Sequence, residues 1–328
     1  MKRSLLAVLA ALVLGLAGAQ QVPPRPTLAE LQASTIPALQ ARKVPGSAFK
    51  LLSEASRGAS FRRFVVAYDS DGLRVNGLLA VPDGKAPAGG WPAILFLHGY
   101  VPPKVYSTTG RYFDYVNALA AAGFVVFKPD YRGHAQSQGI PQGAYWSPAY
   151  TIDTMNALAS LRRDARVNPG RVGVWGHSMG GFLGLRALVL DHTLRAGVLW
   201  GGVVGTAADI LTRWHAPSDY TAVNPDWKQR RQELLKAAGT PDSNPKLYAA
   251  LSAPNYLAGL PPVQLHHAVT DPEVPLWMST ELRARLKKLG REVSLYEYPN
   301  DDHNISRNFS AAMNRTIAFF KDKLAAKP

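Results

Sequence analysis

Val172-Gly173-Val174-Trp175-Gly176-His177-Ser178-Met179-Gly180-Gly181-Phe182 is the stretch on which the fold turns. An apolar run, 172–175, breaks at a glycine and gives way to 182–190, whose apolar residues suit a helix. Between them lies Gly-x-Ser-x-Gly. A strand turning this sharply into a helix forces its central residue into strained backbone, and a side chain at either flank would collide with the turn. Ser178 at the centre is thereby held at the carboxyl end of a sheet. The helix behind it directs its amino end at the hydroxyl, which favours negative charge developing there. The spacing predicts a nucleophilic serine on a strand–turn–helix elbow.

Outward from the elbow, the chain alternates between two textures. Short apolar runs at 93–97, 124–127, 197–200 and 263–265 lack polar alternation, as do the residues before the elbow, and read as central parallel strands buried on both faces. Residues 293–298 alternate more and suit a strand nearer the edge. Residues 61–68 and 73–81 flank Asp69-Ser70-Asp71-Gly72, a hairpin signal. Helical patterns fall at 111–122, 149–163, 276–289 and 305–324. The expectation is an α/β fold with a mostly parallel, eight-stranded sheet flanked by helices. One segment breaks the rhythm. Residues 203–260 form an insertion far longer than an ordinary crossover, rich in Trp, Tyr and Pro, with a helix at 230–238. It reads as a helical, cap-like insertion over a binding site or as a packed surface subdomain.

Composition bounds the class. Of the 328 residues 47% are apolar, enough for one large α/β domain with a sizeable core. The chain has no cysteine, which excludes disulfides, thiolate metal sites and a cysteine nucleophile. The formal charge is +14, but the basic residues are scattered over 62–63, 162–171, 228–236 and 283–291 with no nucleic-acid motif, so no nucleic-acid partner is expected. Lys2 and Arg3, the apolar run 5–16 and Ala17-Gly18-Ala19 follow the plan of a secretory signal peptide over 1–19. The expected organisation is signal, an N-terminal arm over 20–60 and one catalytic domain over 61–328. The expected location is secreted or periplasmic, with no integral membrane span after cleavage. Oligomeric state is left open.

A serine hydroxyl needs a base. Of eight histidines, His177 lies inside the elbow and is expected to bond locally. His303 follows the last strand and opens the last helix, on a loop that can reach over the sheet's carboxyl edge, and is the candidate base. Asp271 follows the strand ending near His267 and is the candidate acid that orients the base. Glu273, Asp301 and Asp302 are its competitors. Asp301 and Asp302 adjoin His303 too closely to align with its ring and read as a solvated loop end. No metal spacing is present, and no metal or cofactor is expected.

The chain from residue 61 to 324 resembles an α/β-hydrolase domain of the single-domain prolyl oligopeptidase and dienelactone hydrolase-like type. Leu97-His98-Gly99-Tyr100, Pro129-Asp130-Tyr131-Arg132-Gly133-His134, the elbow itself and His267-Ala268-Val269-Thr270-Asp271 carry the resemblance. Ala135 and Ala268 stand where the family more often has glycine. The order Ser178, Asp271, His303 is the order of that fold. The resemblance implies an oxyanion hole from the backbone N–H groups of Tyr100 and Met179, and places Asp130 and Arg132 near the same rim, where a structural ion pair is expected of both. The function so implied is a serine hydrolase cleaving carboxylic esters of small molecules. A peptidase acting on short peptides is the alternative enzyme, and a non-catalytic binding protein the alternative of another class.

Overall fold

The computed structural model describes residues 25–214 and 227–326. The signal-peptide reading of 1–19 and part of the cap-like insertion, 215–226, lie outside the described residues. A sheet of nine strands runs through the molecule in the order β1-β2-β3-β5-β4-β6-β7-β8-β9. These are β1 (Lys50–Arg57), β2 (Phe61–Ser70), β3 (Leu73–Pro82), β4 (Trp91–Leu97), β5 (Val125–Pro129), β6 (Val167–His177), β7 (Gly197–Trp200), β8 (Val263–Ala268) and β9 (Val293–Tyr298). From β5 onward every pairing is parallel, while β1, β2 and β3 join antiparallel at the other side. The expected hairpin is the β2–β3 turn, where Asp71 and Gly72 take the left-handed backbone (φ 53° and 74°) that a two-residue turn requires.

The count corrects the expectation of eight strands. The ninth, β1, lies in the stretch assigned to the arm and pairs with β2 along an exposed edge. Its sequence, Lys-Leu-Leu-Ser-Glu-Ala-Ser-Arg, carries no alternation because only Ala55 packs against the core and the rest of the strand is exposed. The edge position expected for 293–298 is observed, since β9 closes the other side.

The centre of the sheet is dry. In β4, Ala93, Leu95 and Leu97 face one layer while Ile94 and Phe96 face the other, and all are fully buried. The first layer holds α4 (Ala149–Arg163), α5 (Met179–Leu190) and α9 (Trp277–Lys288), packing through Leu158, Leu183 and Leu282. The second holds α3 (Phe113–Ala121) and α10 (Phe309–Lys323), packing through Leu119 and Phe320. Burial on both faces is why these strands read as continuous apolar runs.

The insertion has its own small core. Here α6 (Ala207–Thr212), α7 (Trp227–Ala238) and α8 (Pro245–Leu251) enclose Leu211, Leu234, Leu247 and Leu251. Leu31 of α1 (Leu28–Ala33) completes that cluster. The arm continues through α2 (Ile36–Gln40) toward β1. Among the described residues no helix is long and apolar enough to cross a membrane.

Candidate active site

Ser178 sits where β6 gives way to α5, with φ 55° and ψ −121°. Neighbours hold this strained backbone on both sides. Its N–H donates to the Trp200 carbonyl at 3.0 Å, and its own carbonyl accepts from the N–H groups of Gly181 and Val203 at 2.9 and 3.1 Å. The flanking glycines are steric necessities. A Cβ at Gly180 would stand 1.9 Å from the Leu97 carbonyl oxygen, and one at Gly176 would stand 2.2 Å from that of Gly180. Backbone has packed into the space a side chain would need, which accounts for the motif better than local turn preference does.

His303 reaches the same edge of the sheet from the loop after β9. Its Nδ1–H donates to Asp271 Oδ2 at 2.7 Å, and the ring is 4% exposed. Gly201, at φ 48° after β7, lies directly beneath. A Cβ there would stand 3.1 Å from the ring's Nδ1 and Cε1. Asp271 is held on its other oxygen as well, where Oδ1 accepts from the N–H groups of Glu273 and Val274 at 2.8 and 2.9 Å. Burial works to raise the Asp271 carboxyl, but the His303 hydrogen bond, the ring's charge and these two N–H groups outweigh it. The carboxyl is held below its ordinary value and stays ionised. Since Nδ1 carries the proton, Nε2 presents a lone pair, and that atom is buried with no hydrogen-bond partner among the described residues. The structure therefore brings Asp271 and His303 into contact and leaves Nε2 of the imidazole open, with the ring 4.5 Å from that of His177 in the elbow.

The loop after β4 closes the other side. A Cβ on Gly99 would come within 3.1 Å of the Ser178 Cβ. The Gly99 N–H donates to the Tyr112 hydroxyl at 2.9 Å, so it is turned away from any substrate oxygen. Tyr112 in turn donates to His177 Nδ1 at 2.7 Å, and His177 Nε2–H donates to the carbonyl of His303 at 3.0 Å. One hydrogen-bonded line thus runs from the turn beside Tyr100, through the elbow, to the backbone of the candidate base. Burial pushes the His177 imidazole down to about 3, so it stays neutral and keeps the tautomer this line requires. The local bond expected of His177 is not what the structure shows, since both ring nitrogens bond to residues distant in the chain, Tyr112 and His303. Met179 opens α5, where a backbone N–H has no carbonyl of its own helix to bond.

Two expectations are corrected. Arg132 does not pair with Asp130. Its guanidinium and backbone N–H go to Asp153, a fully buried carboxylate of α4, with Asp71 within 3.5 Å. Asp130 instead accepts from Tyr106 and Thr108, each at 2.7 Å, and Tyr106 also accepts from the buried Lys128 at 3.2 Å. Asp130 and Arg132 are near in sequence, but the turn between them sends the two side chains apart. Asp301 is not a solvated loop end either. It is 5% exposed and accepts from the N–H groups of Asp302, Arg307 and Asn308, which builds the turn that carries His303. Asp302 is exposed, as expected. Ala135 adopts φ 47°, the left-handed backbone that explains why glycine is commoner there.

Sequence reasoning passed over three contributors. Tyr112 links loops distant in the chain. His267, fully buried, places Nε2 within 2.8 Å of the Val274 carbonyl and 3.4 Å of Asp271 Oδ2, and so braces the acid loop. Glu273 lies 3.7 Å from His303 Nε2. Its weighing as a rival to Asp271 was the one signal. Among the described residues no group of three or more His, Asp or Glu is arranged to hold a metal ion.

The chain has relatives. Uncharacterized peptidase YuxL of Bacillus subtilis (strain 168) is 30% identical over 242 residues, which span 72% of this chain but 34% of that protein. Uncharacterized peptidase YtmA of the same organism is 29% identical over 244 residues, 74% of this chain and 86% of the relative. Among solved structures, an acetyl xylan esterase from Paenibacillus sp. R4 superposes with a TM-score of 0.64 over 92% of this chain and 96% of its own, at 19% identity, a likeness of fold. The α/β-hydrolase architecture is thus shared with enzymes named for amide and for ester chemistry. The model for Peptidase S9, the prolyl oligopeptidase family, matches residues 111–327, well over half of the sequence, and the chain belongs to this family of serine hydrolases.

Proposed function

We propose that this chain is an exported serine hydrolase that cleaves carboxylic esters of small molecules. Ser178 Oγ attacks the ester carbonyl while His303 Nε2 takes its proton. Asp271 holds the Nδ1–H tautomer and balances the imidazolium. The carbonyl oxygen, now negative, accepts from the N–H groups of Met179 and Tyr100. Collapse expels the alcohol, which takes the proton from His303 Nε2. Water, deprotonated by the same nitrogen, then attacks the acyl-enzyme and releases the acid and free Ser178. The observation that carries this reading is the 2.7 Å His303–Asp271 contact with Nε2 left unpartnered beside the elbow. Activity of wild type and Ser178→Ala on p-nitrophenyl esters tests it. Loss of several orders of magnitude is expected, and a Ser178→Ala protein that still turned over the esters would end the proposal.

Amide cleavage is the second reading, favoured by the relatives named as peptidases. Matched ester and amide substrates of one acyl group separate the two. Export rests on the signal-peptide pattern of 1–19. N-terminal sequencing of the exported fraction would then begin near Gln20, and a chain retained inside with Met1 intact would remove that element.

A further inference from the structure

Glu273 stands where a substrate must come, and the proposed mechanism leaves its side chain without a task. Its Oε2 lies 3.7 Å from His303 Nε2, the atom that handles the proton, and its side chain is 56% exposed. Nε2 itself is buried and unpartnered. The backbone of Glu273 is pinned at both ends. Its N–H donates to Asp271 Oδ1 at 2.8 Å, and its carbonyl accepts from Trp214 Nε1 at 2.8 Å. The carboxylate is therefore held at the mouth by the same loop that carries the acid. Among the described residues no lysine or arginine is paired with Glu273, although the chain has a formal charge of +14. Arg213, which adjoins Trp214 in the insertion, is already engaged by Asp209 and Glu281.

We infer that Glu273 is a specificity residue whose carboxylate recognises a cationic group on the substrate close to the scissile bond. The geometry limits the distance. A substrate atom within hydrogen-bond reach of Nε2 is, by addition of the two contacts, within about 7 Å of Oε2. An ammonium one or two bonds from the reacting carbonyl, or a quaternary ammonium on a short alcohol, fits that span. The inference rests on the proposed roles of Ser178 and His303.

The test measures a ratio, so any general effect of the substitution on the base cancels. One substrate pair puts the charge on the acyl side, alanine benzyl ester against N-acetylalanine benzyl ester. The other puts it on the leaving alcohol, acetylcholine against its neutral isostere 3,3-dimethylbutyl acetate. Wild type is expected to favour the cation in one pair, and Glu273→Gln to lower that cation-to-neutral ratio of kcat/KM about tenfold, mostly through KM. The pair that responds identifies the side. Glu273→Arg should turn the preference toward an N-succinyl acyl group. The same compounds, used as competitors of fluorophosphonate labelling, give the ratio for any ester that is not turned over. Ratios unmoved in both pairs by Glu273→Gln would overturn the inference. Absence of labelling in wild type would instead remove the proposed Ser178 chemistry beneath it.

Discussion

In the proposed mechanism Asp271 works through a single nitrogen, His303 Nδ1. Replacing it by Asn keeps the size but offers Nδ1 an amide in place of a carboxylate, so the imidazole can settle with its proton on the wrong side. For Asp271→Asn the expected outcome is a fall in kcat of about 10⁴ at neutral pH with KM little changed. Retention of kcat within tenfold would show that Asp271 does not orient the base. Tyr112 is a positioning residue by contrast. Tyr112→Phe leaves the Gly99 N–H and His177 Nδ1 without their partner, and each buried orphan costs about 1–3 kcal/mol. The urea midpoint should fall accordingly, and kcat should drop about tenfold as the turn beside Tyr100 loosens. An unchanged kcat alongside a lowered midpoint would make the line purely structural. These residues also mark how legible the site was. Ser178 announced itself because its motif is contiguous, and Asp271 and His303 because each follows a recognisable strand. Tyr112 gave no local sign and Glu273 stood out only as a rival to Asp271, since their meaning lies in contacts to His177 and His303, which only the folded topology supplies.

At the scale of elements, the arm and the insertion are joined to the catalytic core by one buried cation. Arg186 of α5 is fully buried, with Nε donating to Thr151 Oγ1 at 3.0 Å and one terminal nitrogen to the Leu251 carbonyl of α8 at 3.0 Å. The other terminal nitrogen donates to the Ser34 carbonyl between α1 and α2. Burial with no carboxylate opposite pushes the guanidinium down to about 9. Carbonyl oxygens carry the compensation, and both belong to segments outside the hydrolase sheet. Arg186→Met fills much of the volume but strands those acceptors. A loss of about 3 kcal/mol is expected, with new limited proteolysis in 28–47 ahead of cleavage in the core. A midpoint within 0.5 kcal/mol of wild type and an unaltered proteolytic pattern would show that arm and insertion dock without it. The central strands were readable because burial on two faces leaves an uninterrupted apolar run. The edge strand β1 was not, because an exposed strand obeys no hydrophobic period, and the Leu31 contact that closes the insertion's core joins segments far apart in sequence.

At the scale of the whole molecule, the balance of protons sets the acid limit. His98, His134, His177, His266 and His267 are buried, and burial pushes each imidazole below its ordinary value, His177 and His266 to about 3. In the unfolded chain each titrates near 6.5. Between those limits the unfolded state binds more protons than the folded one, so stability rises with pH there and is lost as pH falls below about 6.5. His177 and His266 each contribute about 1.4 kcal/mol per pH unit in that window, about 2.7 kcal/mol per pH unit together, and the other three act in the same direction. The depressed carboxylates Asp271 and Asp301 act lower, their stabilisation being lost only as pH falls through the carboxylate range near 4. Against a typical stability of about 5–15 kcal/mol, the histidines should unfold the protein before the carboxylates protonate. Urea midpoints at constant ionic strength are expected to fall steeply from pH 6.5 to pH 5. His266→Gln, which loses the bonds to Gln264 and Tyr298, should be less stable at pH 7.5 yet show a slope shallower by about one proton. A flat midpoint across that interval, or an unchanged slope in the variant, would mean that these imidazoles are charged inside the fold, which would undo the neutral His177 on which the hydrogen-bonded line to His303 depends.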